Sequence, residues 1–135
     1  MNTERTIHIC GKDVAIRYCA ATETGYETIS GQSISVFIPD IEKDKKGKII
    51  KVTSKATMQD FITLAVAGIL AAYARRKEQE PITTDDIIYD ATPDEVTELI
   101  KTISELRNEW YQVSKVVKKE SEAPADEPEG EGEKN

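Results

Sequence analysis

The stretch TPDEVTELIKTISELRNEWYQVSKVV, residues 92–117, decides the reading of this chain. Val96, Leu99, Ile103, Leu106, Trp110, Val113 and Val117 recur at alternating spacings of three and four, which lays one apolar seam along a single helix. Its start is marked by Thr92 as N-cap, Pro93 at the first helical position and Glu95 placed to reach back and complete a capping box. A seam of this length needs a surface to lie against. Part of it can pack on another element of the chain, and part can be left for a partner.

The central helix is the natural internal partner. Thr57 caps a helix running to about Lys77, with Asp60 in its first turn, and residues 61–74 are apolar nearly all round apart from Thr63 and Gly68. Such a run rises only about 21 Å, short of the roughly 30 Å of a bilayer core, so it reads as a buried helix and no membrane span is expected. Arg75, Arg76 and Lys77 suit its C-terminal end. Thr84 to Asp90 forms a short helical link, with Asp85 and Asp86 in its first turn.

The N-terminal part alternates. Ile7 and Ile9 share one face of a strand at residues 5–10, and Val14, Ile16 and Tyr18 alternate after a turn read at Gly11-Lys12-Asp13, giving an antiparallel hairpin. A helix follows from Ala20 to Ser30, with Ala21, Gly25 or Tyr26, and Ile29 directed inward and Gly31 as its stop. Ser33 to Ile38 alternates again and Ile49 to Val52 favours a strand, so a second hairpin is open, with residues 39–48 as an exposed loop. The fold class expected is α+β: one or two small N-terminal antiparallel hairpins, then a mainly helical body.

The chain has 135 residues with 18 Lys+Arg against 25 Asp+Glu, a net charge of −7. Residues 119–135 hold seven of those acidic residues and two lysines, with no apolar residue larger than alanine. That composition predicts a disordered acidic tail at residues 119–135 behind a single domain at residues 1–118. The acidity thus belongs mostly to the tail. The two cysteines, Cys10 and Cys19, and an N-terminus without a secretory pattern point to a reducing cytoplasm, and a disulfide between them is not expected.

Chemistry-bearing motifs are sparse. His8 is the sole histidine and stands opposite Ile7 and Ile9 without a cluster of ligands around it. Asp85-Asp86 follows Thr83-Thr84, where helix capping alone accounts for acidic residues. No phosphate-cradling loop, nucleophile elbow or zinc spacing is present in the sequence, so no enzyme, metal or cofactor is expected. Lys43, Lys45, Lys46, Lys48, Lys51 and Lys55 form a basic stretch interrupted by Asp44, without arginine or aromatic residues. It reads as a solvated loop, and nucleic acid is not an expected partner.

The order of these parts resembles phage tail assembly chaperones. The carriers are Arg5 to Tyr18 with its turn at Gly11-Lys12, the helix closing on Ile29-Ser-Gly-Gln-Ser-Ile34, the helix at residues 61–74, the link at Pro81 to Asp86 and the final amphipathic helix. The match covers about Arg5 to Val117, with a longer, more β-like stretch at residues 33–55 and Ser30 where threonine is common. What the resemblance implies is a non-catalytic protein in the host cytoplasm that binds a tape-measure protein, brings tail-tube protein to it and leaves the finished particle. Self-association is compatible with this. Client contacts are expected on Leu106, Trp110, Val113 and Val117, with Tyr73 beside them. Two rivals stand next to it: a structural tail or neck component, and a small nucleic-acid-binding regulator that uses the lysine stretch.

Overall fold

In the computed structural model, which describes the backbone of residues 3–122 and the side chains of residues 3–112, the chain is α+β. Strands β1 (Glu4–Ile9) and β2 (Lys12–Arg17) pair antiparallel, with Ile7 opposite Val14 and Ile9 opposite Lys12. Their turn is Cys10-Gly11, one position earlier than the sequence suggested. Both residues have positive φ, 54° and 75°, the geometry whose twist matches a two-residue hairpin. Lys12 and Asp13 consequently belong to β2. Thr3 prolongs the ladder: its carbonyl accepts from Tyr18 N–H at 2.8 Å, and its hydroxyl donates to Tyr18 O at 2.7 Å.

Helix α1 (Ala20–Ser30) starts where Cys19 N–H donates to Thr22 Oγ1 at 3.1 Å, and it ends on Gly31 with φ 73°. Its inward residues are Thr22 and Tyr26, whereas Ile29 is exposed, correcting the expected inward face. Thr22 displaces Ala21 from the core side because its hydroxyl reaches Arg17 O at 2.7 Å. Residues Ile34–Phe37 form a 3-10 turn rather than a strand. Ser33 Oγ accepts from Ser35 N–H at 3.2 Å, which folds the segment locally, and Phe37 is drawn between Tyr26 and Phe61 at ring distances of 4.9 and 5.1 Å.

A second hairpin does exist, built from β3 (Asp40–Lys43) and β4 (Ile49–Thr53). Its first strand lies inside the stretch expected to be loop. Asp44 makes the turn, its carboxylate accepting from the N–H groups of Lys46 and Lys48 at 2.9 Å each, with Gly47 at φ 83°.

Helix α2 (Met58–Arg76) is the centre of the molecule. Ile62 to Ile69 are all buried, as the run of apolar residues predicts for a helix covered on several sides. Glycine enters at two close approaches: Gly25 of α1 faces Ala67, and Gly68 faces Arg17 and Ile16 of β2 and Ile103 of the last helix. Helix α3 (Thr84–Asp90) opens on Thr83, whose Oγ1 accepts from Asp86 N–H at 3.2 Å while the Asp86 carboxylate accepts from Thr83 N–H at 2.9 Å. Of the aspartate pair read from the sequence, Asp86 therefore supplies the cap and Asp85 lies in the first turn.

Helix α4 (Pro93–Glu122) opens with the expected box, Thr92 N–H to Glu95 at 3.0 Å and Glu95 N–H to Thr92 Oγ1 at 3.2 Å. It passes the 118/119 boundary and continues to Glu122. The rest of the acidic segment expected to be disordered lies outside the described residues. Leu99, Ile103 and Leu106 are fully buried on the central helix and hairpin, with Val96 and Trp110 partly buried at either end. Arg5 of β1 holds the outer flank through Glu105 and Glu109. From Val96 to Trp110 the seam that decides the fold is internal.

Candidate interaction surface

The residues expected to contact a client are largely committed to the fold. Leu106 has no exposed surface and belongs to the core, which removes it from any contact face. Trp110 packs on Tyr18 at 5.5 Å and on Tyr111 at 5.0 Å. Tyr73 is half-buried, and its hydroxyl accepts from Ala15 N–H at 3.1 Å, satisfying an otherwise open edge of β2. The side chains of Val113 and Val117 lie outside the described residues. Three of the five expected contact residues thus hold α2, α4 and the first hairpin together.

Around Trp110 the packing is polar as well as aromatic. Glu23 of α1 accepts from the hydroxyls of Tyr18 at 2.7 Å and Tyr111 at 2.6 Å, and the Arg107 guanidinium lies 4.9 Å from the Tyr111 ring centre and 5.9 Å from that of Phe37. Burial, followed by the Glu23 carboxylate, raises the pKa of both tyrosines, so both remain hydroxyl donors at neutral pH. This group clamps the middle of α4 onto α1. It has structural work to do and offers no reactive atom.

Nor does the cleft at Cys10 read as a reaction centre. It encloses about 550 Å³ beside the first hairpin turn, where Cys10 meets Asp86, Asp90 and Glu95. Burial and those three carboxylates push the Cys10 thiol up, while its Sγ lies 3.5 Å from the Asp86 carbonyl. A protonated thiol facing carboxylates is a poor nucleophile. His8 is exposed on the hairpin, its Nδ1 2.9 Å from the Asp13 carboxylate across the ladder. Among the described residues no group of three or more His, Cys, Asp or Glu side chains is arranged to hold a metal, and no helix is long and apolar enough to cross a membrane.

The conspicuous surface is the second hairpin. Every residue of β3 and β4 is exposed, and Ile38, Ile41, Ile49, Ile50 and Val52 each leave more than half of their area open to solvent. Ile41 stands opposite Val52, giving one apolar cross-strand pair, and Glu42 opposite Lys51 gives a charged pair on the other face. A bulge between Glu42 and Lys43 interrupts the register next to Ile50. Asp40 and Lys55, 3.6 Å apart, tie the base. A two-stranded ribbon with neither face covered is marginal in water, and clustered exposed aliphatic residues mark surfaces that associate.

Sequence reading found the strand tendency of Ile49 to Val52 and missed its partner. Asp40-Ile-Glu-Lys has two acidic residues and a lysine in four positions, and charge masks the alternation. The usable signal was the Asp44-Lys-Lys-Gly47 turn at the centre of the segment. No family model, curated protein or solved structure matches the chain.

Proposed function

We propose that this protein is a non-catalytic assembly chaperone of the phage-tail kind, which holds an elongated tape-measure client by surface contact during tail assembly. The observation that carries this reading is the uncovered aliphatic ribbon of β3 and β4 on a body whose own core is complete. A client whose long helices expose apolar stripes needs a partner with accessible aliphatic area, and Ile41, Ile50 and Val52 supply it. The contact surface in this proposal is therefore the ribbon, with the Trp110 region serving to hold α4. Tail-tube protein remains a further proposed partner, and the host cytoplasm the proposed place of action.

Co-expression with a tape-measure protein, followed by affinity purification and light scattering, tests the reading. The expected result is a soluble complex, with the client insoluble alone. Because Ile41 and Val52 are 52% and 58% exposed, replacing both by threonine keeps β-propensity and leaves the fold intact. That double variant should recover at least about ten-fold less client, the effect of about 1.4 kcal/mol of lost contact energy. Undiminished recovery would move the contact away from the ribbon. A client that stays soluble without this protein would instead favour a structural component of the particle.

A further inference from the structure

We propose that the acidic segment 123–135 of this chain docks in cis on the lysine-rich tip of the β3–β4 hairpin, residues 43–48. The inference goes beyond the chaperone reading and does not depend on it. Its first ground is charge complementarity. The tip carries Lys43, Lys45, Lys46 and Lys48 against Asp44 alone, and the carboxylate of Asp44 is already turned inward to the N–H groups of Lys46 and Lys48. Among the described residues those four lysines form no ion pair, whereas at the base of the hairpin Lys55 meets Asp40 and Lys51 faces Glu42. Positive charge is thus neutralised at the root and left open at the tip. Segment 123–135 carries Asp126, Glu127, Glu129, Glu131 and Glu133 against Lys134 alone.

The second ground is reach. The Arg107 side chain of α4 reaches over the ring of Phe37, three residues before β3 begins, so α4 and the start of the hairpin are linked there. From Arg107 to Glu122 the helix rises about 22 Å, at roughly 1.5 Å per residue. The hairpin arm from Asp40 to its tip spans about 20 Å, at roughly 3.3 Å per residue. Thirteen residues follow Glu122, a contour length of up to about 45 Å to set against those two arms. A tether of this length gives an effective concentration in the millimolar range, enough for several weak charge contacts to be populated together.

The segment has no apolar residue larger than alanine, so it matches the lysine tip and leaves Ile41, Ile50 and Val52 for another partner. Its consequence is selective: the only strongly basic stretch of the chain is occupied by the chain's own carboxylates, which lowers its attraction for other polyanions. Exposed charges are screened within about 8 Å at physiological ionic strength, so the contact strengthens as salt falls.

The test uses the full chain and a full-length variant in which Asp126 becomes Asn and Glu127, Glu129, Glu131 and Glu133 become Gln. Trypsin cleavage after Lys45 and Lys46 is followed at 50 mM and 500 mM NaCl, together with amide NMR shifts. The expected result is cleavage at least about three-fold faster in the variant at low salt, equal rates at high salt, and shift differences confined to residues 43–48 and the segment itself. Equal cleavage and unchanged shifts at 50 mM overturn the proposal. Protection that rises with protein concentration overturns the cis assignment and gives the contact to a second copy. Because no client is present, failure here leaves the client-binding experiment untouched.

Discussion

Gly68→Val should lower the melting temperature by about 8 °C, the balance of overpacking against the gain in helix propensity. A Cβ built at Gly68 lies 2.9 Å from Arg17 O, 3.1 Å from Ile16 Cγ1 and 3.2 Å from Ile103 Cδ1. The first of these is a backbone atom in a paired strand, so it cannot swing aside as a side-chain end would. Relief requires α2 to move away from β2, and that opens the contact with α4 as well. Overpacking of this kind costs about 3 kcal/mol, which exceeds the ~1 kcal/mol that a helix gains when glycine is replaced. For a domain of this size each kcal/mol is worth about 4 °C. Gly25→Ala is the internal comparison, because its added Cβ meets only the Ala67 methyl, at 3.3 Å. That variant should stay within about 1 kcal/mol of the parent. Urea midpoints of the two variants check the claim, and a Gly68→Val protein as stable as Gly25→Ala would show that the strand and helix are not pressed together at this point.

Gly68 also shows where sequence reading stops. The residue stands out in the run Phe61 to Ala74 as a small exception, yet what lies over it comes from positions 16, 17 and 103, far apart in sequence. Local signals fared differently. Thr57 with Asp60, Thr83 with Asp86 and Thr92 with Glu95 are capping boxes whose partners are three residues apart, so each helix start is written in one short window. Gly31 as the stop of α1 is equally local.

The errors fall where distant contacts override a local pattern. Ser33 to Ile38 alternates like a strand, but Phe37 gains more by entering the space between Tyr26 and Phe61 than the segment gains by pairing. Periodicity identified the face of α4 correctly and could not say how far along that face the body extends. Leu106 is therefore core, Trp110 is an anchor, and the accessible aliphatic surface sits on a ribbon whose first strand is mostly charged. A seam and a docking face look alike in one dimension; burial against α2 and β1–β2 separates them.

Asp60→Ala is expected to cost about 3 kcal/mol at neutral pH, through two separate losses. Asp60 Oδ2 accepts from Thr57 N–H at 2.8 Å and from the Thr57 hydroxyl at 3.0 Å, completing the N-terminal box of α2, and loss of such a cap costs about 1 kcal/mol. Oδ1 accepts from the hydroxyl of Tyr26 at 2.9 Å, and Tyr26 is fully buried, so alanine leaves that hydroxyl without an acceptor at a further cost of about 2 kcal/mol. The same geometry fixes a pH dependence. The Thr57 N–H is the main influence holding the Asp60 carboxyl below the ordinary aspartate value of 3.8, helped by the Tyr26 and Thr57 hydroxyls and opposed by burial. A folded-state value below the unfolded one means that the ionised carboxylate contributes stability above pH 3.8, and that this contribution is lost as pH falls through 3.8 towards the depressed value. The stability gap between the parent and Asp60→Ala should therefore be constant from pH 7 down to about 5 and narrow below about 4. Denaturant titrations of both proteins at pH 7, 5 and 3 measure it. A gap that holds its full size at pH 3 would mean that Asp60 acts through shape alone, and a gap below about 0.5 kcal/mol at pH 7 would mean that Tyr26 finds another acceptor.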